Sequence, residues 1–251
     1  MMLAVTTSQI FATDQIPDFL IYKGDTLPIH VNPLESYFED RCRPDSIFEK
    51  YGDNSTASLR GYTGYWELRN DSLFLIELRG MSEKIKLSLI FSDRKTDTKI
   101  FADWVDFSIL NSYGELIYAQ YPSFASIYEY EREFFFSKGI LTKIIKYNNQ
   151  KSHKSKFADN PELLNKYLKE NINYLNIPNL AYEKAHVFVR ISKVTEDGKI
   201  DSVEVVKSFD STLNNEAIRV VKSIPDWDVF YTKGQQIQIR YYIKVTFQKP
   251  K

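Results

Sequence analysis

The stretch Gln235-Gln-Ile-Gln-Ile-Arg-Tyr-Tyr-Ile-Lys-Val-Thr-Phe247 decides how the end of this chain is read. Ile237, Ile239, Tyr241, Ile243, Val245 and Phe247 fall on one face of an extended chain. Gln236, Gln238, Arg240, Tyr242, Lys244 and Thr246 fall on the other. Strand side chains alternate with a period of two, so six such cycles predict one strand over residues 235–247. Its apolar row belongs to a core. Its polar row faces solvent or a partner, which makes Gln236, Gln238, Arg240, Tyr242 and Lys244 candidate partner-binding residues.

Working back from that strand, Ala217, Val220, Val221 and Ile224 recur at helical spacing, and Pro225 ends the pattern. Val203 and Val205 belong to a strand, and Val187, Val189 and Ile191 to another. Glu196-Asp197-Gly198 turns the chain between them, because glycine accepts positive φ. Leu164, Tyr167, Leu168, Ile172 and Leu175 form an apolar stripe on a helix that Asn160 caps and Pro161 starts. Residues 161–251 therefore read as one unit in the order helix, strand, turn, strand, helix, Pro-x-Trp, strand.

Residues 148–160, opening with the polar, basic run Asn148-Asn-Gln-Lys-Ser-His-Lys-Ser-Lys156, read as a linker. Upstream, residues 14–147 read as a β-rich, mainly antiparallel domain, a partly closed barrel or a sandwich. Four hairpin signals support this: Lys23-Gly24-Asp25, Arg69-Asn-Asp-Ser72, Asn111-Ser-Tyr-Gly114 and Ser137-Lys-Gly139, each between strand-like runs. Asn32 and Pro33 open a short helical pattern over 33–39. The whole chain is thus expected to be α+β.

Apolar residues make up 43% of the 251, enough for packed cores, and aromatics reach 15% against only 9 Gly, which favours strands. Lys plus Arg and Asp plus Glu both number 33, so no global charge draws the chain to nucleic acid. The lone Cys42 and three scattered histidines give no disulfide and no metal set. No apolar run is long enough for a membrane-spanning helix. Residues 1–13 read as a signal-peptide remnant or a disordered start, which leaves periplasm or envelope against cytoplasm open.

Asn176-Ile-Pro178, Val187–Val194, Asp197-Gly-Lys-Ile200, Val203–Ser208, Leu213-Asn-Asn-Glu-Ala-Ile-Arg-Val-Val221, Pro225-Asp-Trp227 and Gly234 before the last strand occur in an order that resembles the TonB C-terminal domain. The resemblance spans residues 164–249, roughly a third of the chain. It implies two helices on a three-stranded antiparallel sheet, a periplasmic setting, and pairing with a short segment of an outer-membrane receptor. The chain departs from the family in lacking an anchoring helix and a Pro-rich spacer, and in the bulky Lys184-Ala-His186 where a small residue is usual. The expectation is therefore a non-enzymatic envelope protein that pairs strands without transducing energy. The alternatives are an assembly protein that dimerises through the same edge, or a TonB-dependent transport component whose anchor lies upstream. Ser55–Tyr62 with Tyr65-Trp66-Glu67 is similar to a domain of unknown function beside such modules in Bacteroidetes-type envelope proteins.

Two further groups carry candidate chemistry. Arg60, Tyr62, Tyr65 and Trp66 form either an aromatic-cationic recognition surface or sheet core with a turn-closing arginine. Glu129, Glu131 and Glu133 share a strand face opposite Arg132, and read as a solvated row rather than a cation site. No nucleophile elbow, P-loop or dinucleotide fingerprint occurs, so no catalytic residue, cofactor or metal is expected.

Overall fold

The computed structural model describes residues 15–51, 57–80, 83–94, 98–119, 126–177 and 183–248. The signal-remnant reading of residues 1–13 lies outside these. The chain divides into two compact units between Tyr147 and Asn148. Among the described residues it is β-rich, with mostly antiparallel pairing and five α-helices.

The first unit begins with a hairpin of β1 (Asp18–Tyr22) and β2 (Asp25–Ile29). Its two-residue loop has Lys23 and Gly24 at φ 54° and 92°, the left-handed pair that matches strand twist. Helices α1 (Pro33–Tyr37) and α2 (Asp45–Tyr51) follow. Pro33 does occupy the first turn of α1, but the Asn32 side chain makes no capping bond. Strands β3 (Thr63–Arg69) and β4 (Ser72–Arg79) form the next hairpin, again through a left-handed pair, Asn70 and Asp71. Short β5 (Lys84–Ile85), α3 (Leu87–Ile90) and β6 (Ile100–Phe101) lead to β7 (Ser108–Tyr118), β8 (Ile127–Ser137) and β9 (Ile140–Asn148).

Asn111–Gly114, expected to be a turn, lies inside the single strand β7. Gly114, at φ 85°, sits where the register with β8 shifts between Tyr113 and Leu116. The turn-like composition therefore makes a bulge.

The main strands run in the order β2-β1-β3-β4-β9-β8-β7. Among the described residues, only β1 and β3 pair in parallel. The two ends of this path meet: His30 N–H donates to the Leu110 carbonyl at 3.3 Å, and Asn111 Nδ2 donates to the Pro28 carbonyl at 2.9 Å. The sheet is thus curled into a nearly closed barrel. Leu20, Trp66, Leu73, Leu75, Ile109 and Phe134 fill it, with Leu34, Tyr37 and Phe48 from the helices.

In the second unit, residues 149–157 are no free linker. His153 and Val229 exchange backbone hydrogen bonds at 2.8 and 3.0 Å, and Phe157 is buried in the unit's core. Helix α4 (Pro161–Asn171) is capped by Asn160, whose side chain accepts from Leu163 N–H at 3.0 Å. Then come β10 (Lys184–Val194), β11 (Ile200–Ser208), α5 (Asn214–Lys222), β12 (Phe230–Thr232), β13 (Gln235–Ile237) and β14 (Tyr241–Gln248). The antiparallel sheet has the order β11-β10-β14, and β12 and β13 form a separate ribbon. Leu168 of α4 and Ala217, Val220 and Val221 of α5 share one buried cluster with Val187, Val189, Ile191, Ile243, Val245 and Phe247.

The long final strand is two strands. Lys233 and Gly234, both at positive φ, fold β13 back onto β12, and the chain leaves strand geometry at Gln238–Arg240 before β14 begins. Alternation alone does not register this break, because Ile237 and Ile239 stay partly buried.

Candidate strand-pairing edge

Among the described residues, β14 pairs with β10 and with no other strand, which makes it an edge strand. The pairing runs in register from Lys184↔Gln248 to Ile191↔Tyr241. In an antiparallel pair, backbone groups point alternately toward and away from the neighbour. Gln248 N–H donates away from β10, to Tyr174 Oη at 3.2 Å. By alternation, the backbone N–H and C=O of Tyr242, Lys244 and Thr246 also point outward. Tyr174 therefore closes one end of the edge, and among the described residues no strand pairs with the three outward residues that follow it.

The opposite end is closed by side chains. Continuing the β10–β14 register places Gln238 opposite Val194. The Gln238 backbone has left the ladder, but its side-chain amide replaces it: Oε1 accepts from Val194 N–H at 2.8 Å and Nε2 donates to the Val194 carbonyl at 3.0 Å. Gln236 Nε2 donates to the same carbonyl at 3.0 Å. A primary amide carries one acceptor and two donors, so it can stand in for a peptide group. Gln236 and Gln238 are thus engaged within the chain, and the edge is confined to β14.

Of the other polar-row residues, Arg240 and Lys244 are exposed, and Tyr242 is 64% exposed. Lys244 lies over the Phe188 ring at 5.9 Å, and Phe188 is exposed on the sheet face away from the helices. His186 Nδ1 is 3.1 Å from Thr246 Oγ1. Partial burial, and then Lys244 and Lys184, hold its imidazole below the usual range. It is neutral at pH 7, and Lys184, Arg240 and Lys244 flank the edge with positive charge, Arg240 also interacting with Glu204.

The four N-terminal candidates do not form one surface. Arg60, Tyr62 and Trp66 are buried, and successive strand residues face opposite sides, so Tyr65 turns away from Trp66. Tyr65 stacks on Phe19 at 5.3 Å and takes the Arg79 guanidinium over its ring at 4.4 Å. Tyr62 Oη donates to Glu35 Oε1 at 2.7 Å. Arg60 and Trp66 instead converge on Asp18, a residue without a sequence motif. Asp18 Oδ1 accepts from Arg60 Nη2 and from Gly64 N–H, both at 2.9 Å, and Oδ2 accepts from Trp66 Nε1 at 3.0 Å. Complete burial pushes the Asp18 carboxyl up to about 6 against the pull of Arg60, Trp66 and Gly64. This is a tie between β1, the turn before β3, and β3 itself.

The carboxylate row of β8 is not solvated. Glu131 and Glu133 are buried, and Glu133 accepts from Ser108 Oγ at 2.6 Å and from Tyr147 Oη at 2.8 Å. Among the described residues, no group of three or more His, Cys, Asp or Glu is placed to hold a metal ion.

Among the described residues, no helix is long and apolar enough to cross a membrane. Comparison with curated proteins and with solved structures gives no match. Residues 180–248 match the family described as Gram-negative bacterial TonB protein C-terminal, a span that takes in every element from β10 to β14 and leaves α4 outside. That match suggests a TonB-like protein of the cell envelope, and over residues 180–248 the chain is similar to the C-terminal domain of TonB proteins.

Proposed function

We propose that this protein is a non-enzymatic binding protein of the cell envelope that captures an extended protein segment along β14, without transducing energy itself. The observation that carries this reading is the edge at Tyr242, Lys244 and Thr246, bounded by Tyr174 at one end and by the Gln238 clamp at the other. An incoming strand would take its affinity from backbone hydrogen bonds to that edge and its selection from neighbouring side chains. Lys184, Arg240 and Lys244 favour an acidic segment over a basic one. The TonB C-terminal resemblance points to a short stretch of an outer-membrane receptor as the natural source of such a segment. The β-rich N-terminal unit accompanies this module as a domain similar to those of Bacteroidetes-type envelope proteins.

The test is calorimetric titration of the full chain with synthetic receptor-derived segments, one acidic and one with its acidic residues changed to lysine. Saturable binding of the acidic peptide, weakened by the charge change, supports the reading. Absence of binding together with a stable dimer by light scattering would instead assign the edge to a second copy of the chain.

A further inference from the structure

One end of the N-terminal barrel holds a concavity of about 430 Å³ lined by Tyr22, Lys23, Asp25, Arg132, Ile144 and Lys146. Its floor follows from strand alternation. Phe134 and Phe136 are buried on one face of β8, and Arg132 is the next residue outward on that same face. On β1, Leu20 is buried and Tyr22 follows it outward, its ring edge-on to Phe134 at 5.2 Å. Ile144 of β9 packs on the same core. The cavity is therefore a barrel mouth in which an apolar floor gives way to a cationic rim, a common setting for small-molecule sites.

The charges on that rim do not cancel. Lys23, Arg132 and Lys146 face one carboxylate, Asp25. Among the described residues, none of the three cations forms an ion pair; the ion pairs of the unit lie elsewhere, at Arg43, Arg60, Arg69, Arg79, Lys84 and Arg94. Glu131 and Glu133, the neighbours of Arg132 in sequence, project from the opposite face of β8. The guanidinium is held over aromatic rings, 5.1 Å from the centre of Tyr113 and 5.9 Å from that of Tyr22, and its Nε is buried without a hydrogen-bond partner. Buried donors are nearly always satisfied, and a positioned guanidinium presents a fork that fits a carboxylate or phosphate.

We propose that this barrel mouth binds a small organic oxyanion, with Arg132 taking a carboxylate or phosphate group, Lys23 and Lys146 supporting it, and the Tyr22–Ile144–Phe134 floor receiving an apolar body. The site is independent of the strand-pairing edge, so either can fail without the other.

The experiment is titration of the full chain at low ionic strength with benzoate, phenyl phosphate, inorganic phosphate and benzyl alcohol, followed by backbone amide shifts in Tyr22–Asp25 and β8. The expected result is saturable binding of benzoate or phenyl phosphate, and their order tells which oxyanion is preferred. Arg132→Gln should weaken that binding at least about tenfold, as expected for losing a hydrogen bond to a charged group. The exposed Lys146→Gln, which leaves the core untouched, should weaken it by a smaller factor. Four outcomes overturn the proposal: no saturable binding, equal binding of benzyl alcohol, inorganic phosphate binding as tightly as phenyl phosphate, or binding unchanged in both folded variants.

Discussion

Glu216 offers the sharpest energetic test of the C-terminal unit. It sits in the first turn of α5 with its side chain only 1% exposed. Four donors meet its carboxylate: Asn173 N–H at 2.6 Å, Asn176 Nδ2 at 2.8 Å, and Arg219 through Nε at 2.8 Å and Nη2 at 2.6 Å. It thereby ties the segment after α4 to α5. Glu216→Gln keeps the shape but replaces one acceptor oxygen with an amide that faces donors. Arg219 is 44% exposed and Asn176 is exposed, so both can turn to water. The loss is therefore one to two charge-assisted bonds and not four, about 3 kcal/mol at pH 7. Burial raises the carboxyl, but bonds from Arg219, Asn176 and Asn173 outweigh it and hold it below its ordinary 4.5. A depressed folded-state value means stability that is present above the unfolded value and lost as pH falls through the folded one. The deficit of the variant should therefore shrink as pH falls below the ordinary 4.5 and on through the depressed folded-state value, where wild type protonates. Urea unfolding followed by Trp227, which is buried in this unit, reads both effects. A deficit under about 0.5 kcal/mol at neutral pH, or one that does not shrink in acid, would refute the reasoning.

Three further outcomes follow from the same geometry. Gln238→Ala leaves the Val194 carbonyl with Gln236 alone and its N–H with none, and should cost the C-terminal unit about 1–2 kcal/mol in the same urea experiment. Asp18, raised to about 6 from 3.8, contributes stability that is present below pH 3.8 and lost as pH rises through about 6; the N-terminal unit should lose up to about 3 kcal/mol across that window, and Asp18→Asn should remove this slope from its unfolding curve. Lys244→Pro removes an outward N–H and should abolish acidic-peptide binding while the circular dichroism stays native, whereas Val245→Pro removes a β10 ladder bond and should unfold the unit.

Hairpin turns and amphipathic helices were readable from the amino-acid order because each depends on a few adjacent residues. Lys23-Gly24, Asn70-Asp71 and Lys138-Gly139 take left-handed backbones as their composition suggests, and Asn160 caps α4. What was not readable depends on residues far apart in the chain. Asn111–Gly114 has turn composition, yet pairing with β8 makes it a bulge. The alternation over 235–247 hides a break, since Gln238 keeps its place opposite Val194 through its side chain instead of its backbone. Residues 149–157 look like a solvated linker because nothing local announces that His153 will pair with Val229. Trp66 and Tyr65 are neighbours in sequence but on opposite faces of β3, a distinction that strand alternation already contains. Asp18 carries no local signal, because a lone carboxylate at the head of an apolar strand has no meaning until Arg60, Gly64 and Trp66 are folded around it.

A strand-capturing role for β14 stands or falls with its outward backbone groups. Amide hydrogen exchange of Tyr242, Lys244 and Thr246, measured on the full chain with and without the acidic peptide, tests it most directly. These amides should exchange rapidly in the free protein and become protected when peptide binds, while those of Ile243 and Val245 are protected throughout. Protection of all five in the free monomer, or peptide binding that leaves the three outward amides unprotected, would contradict it.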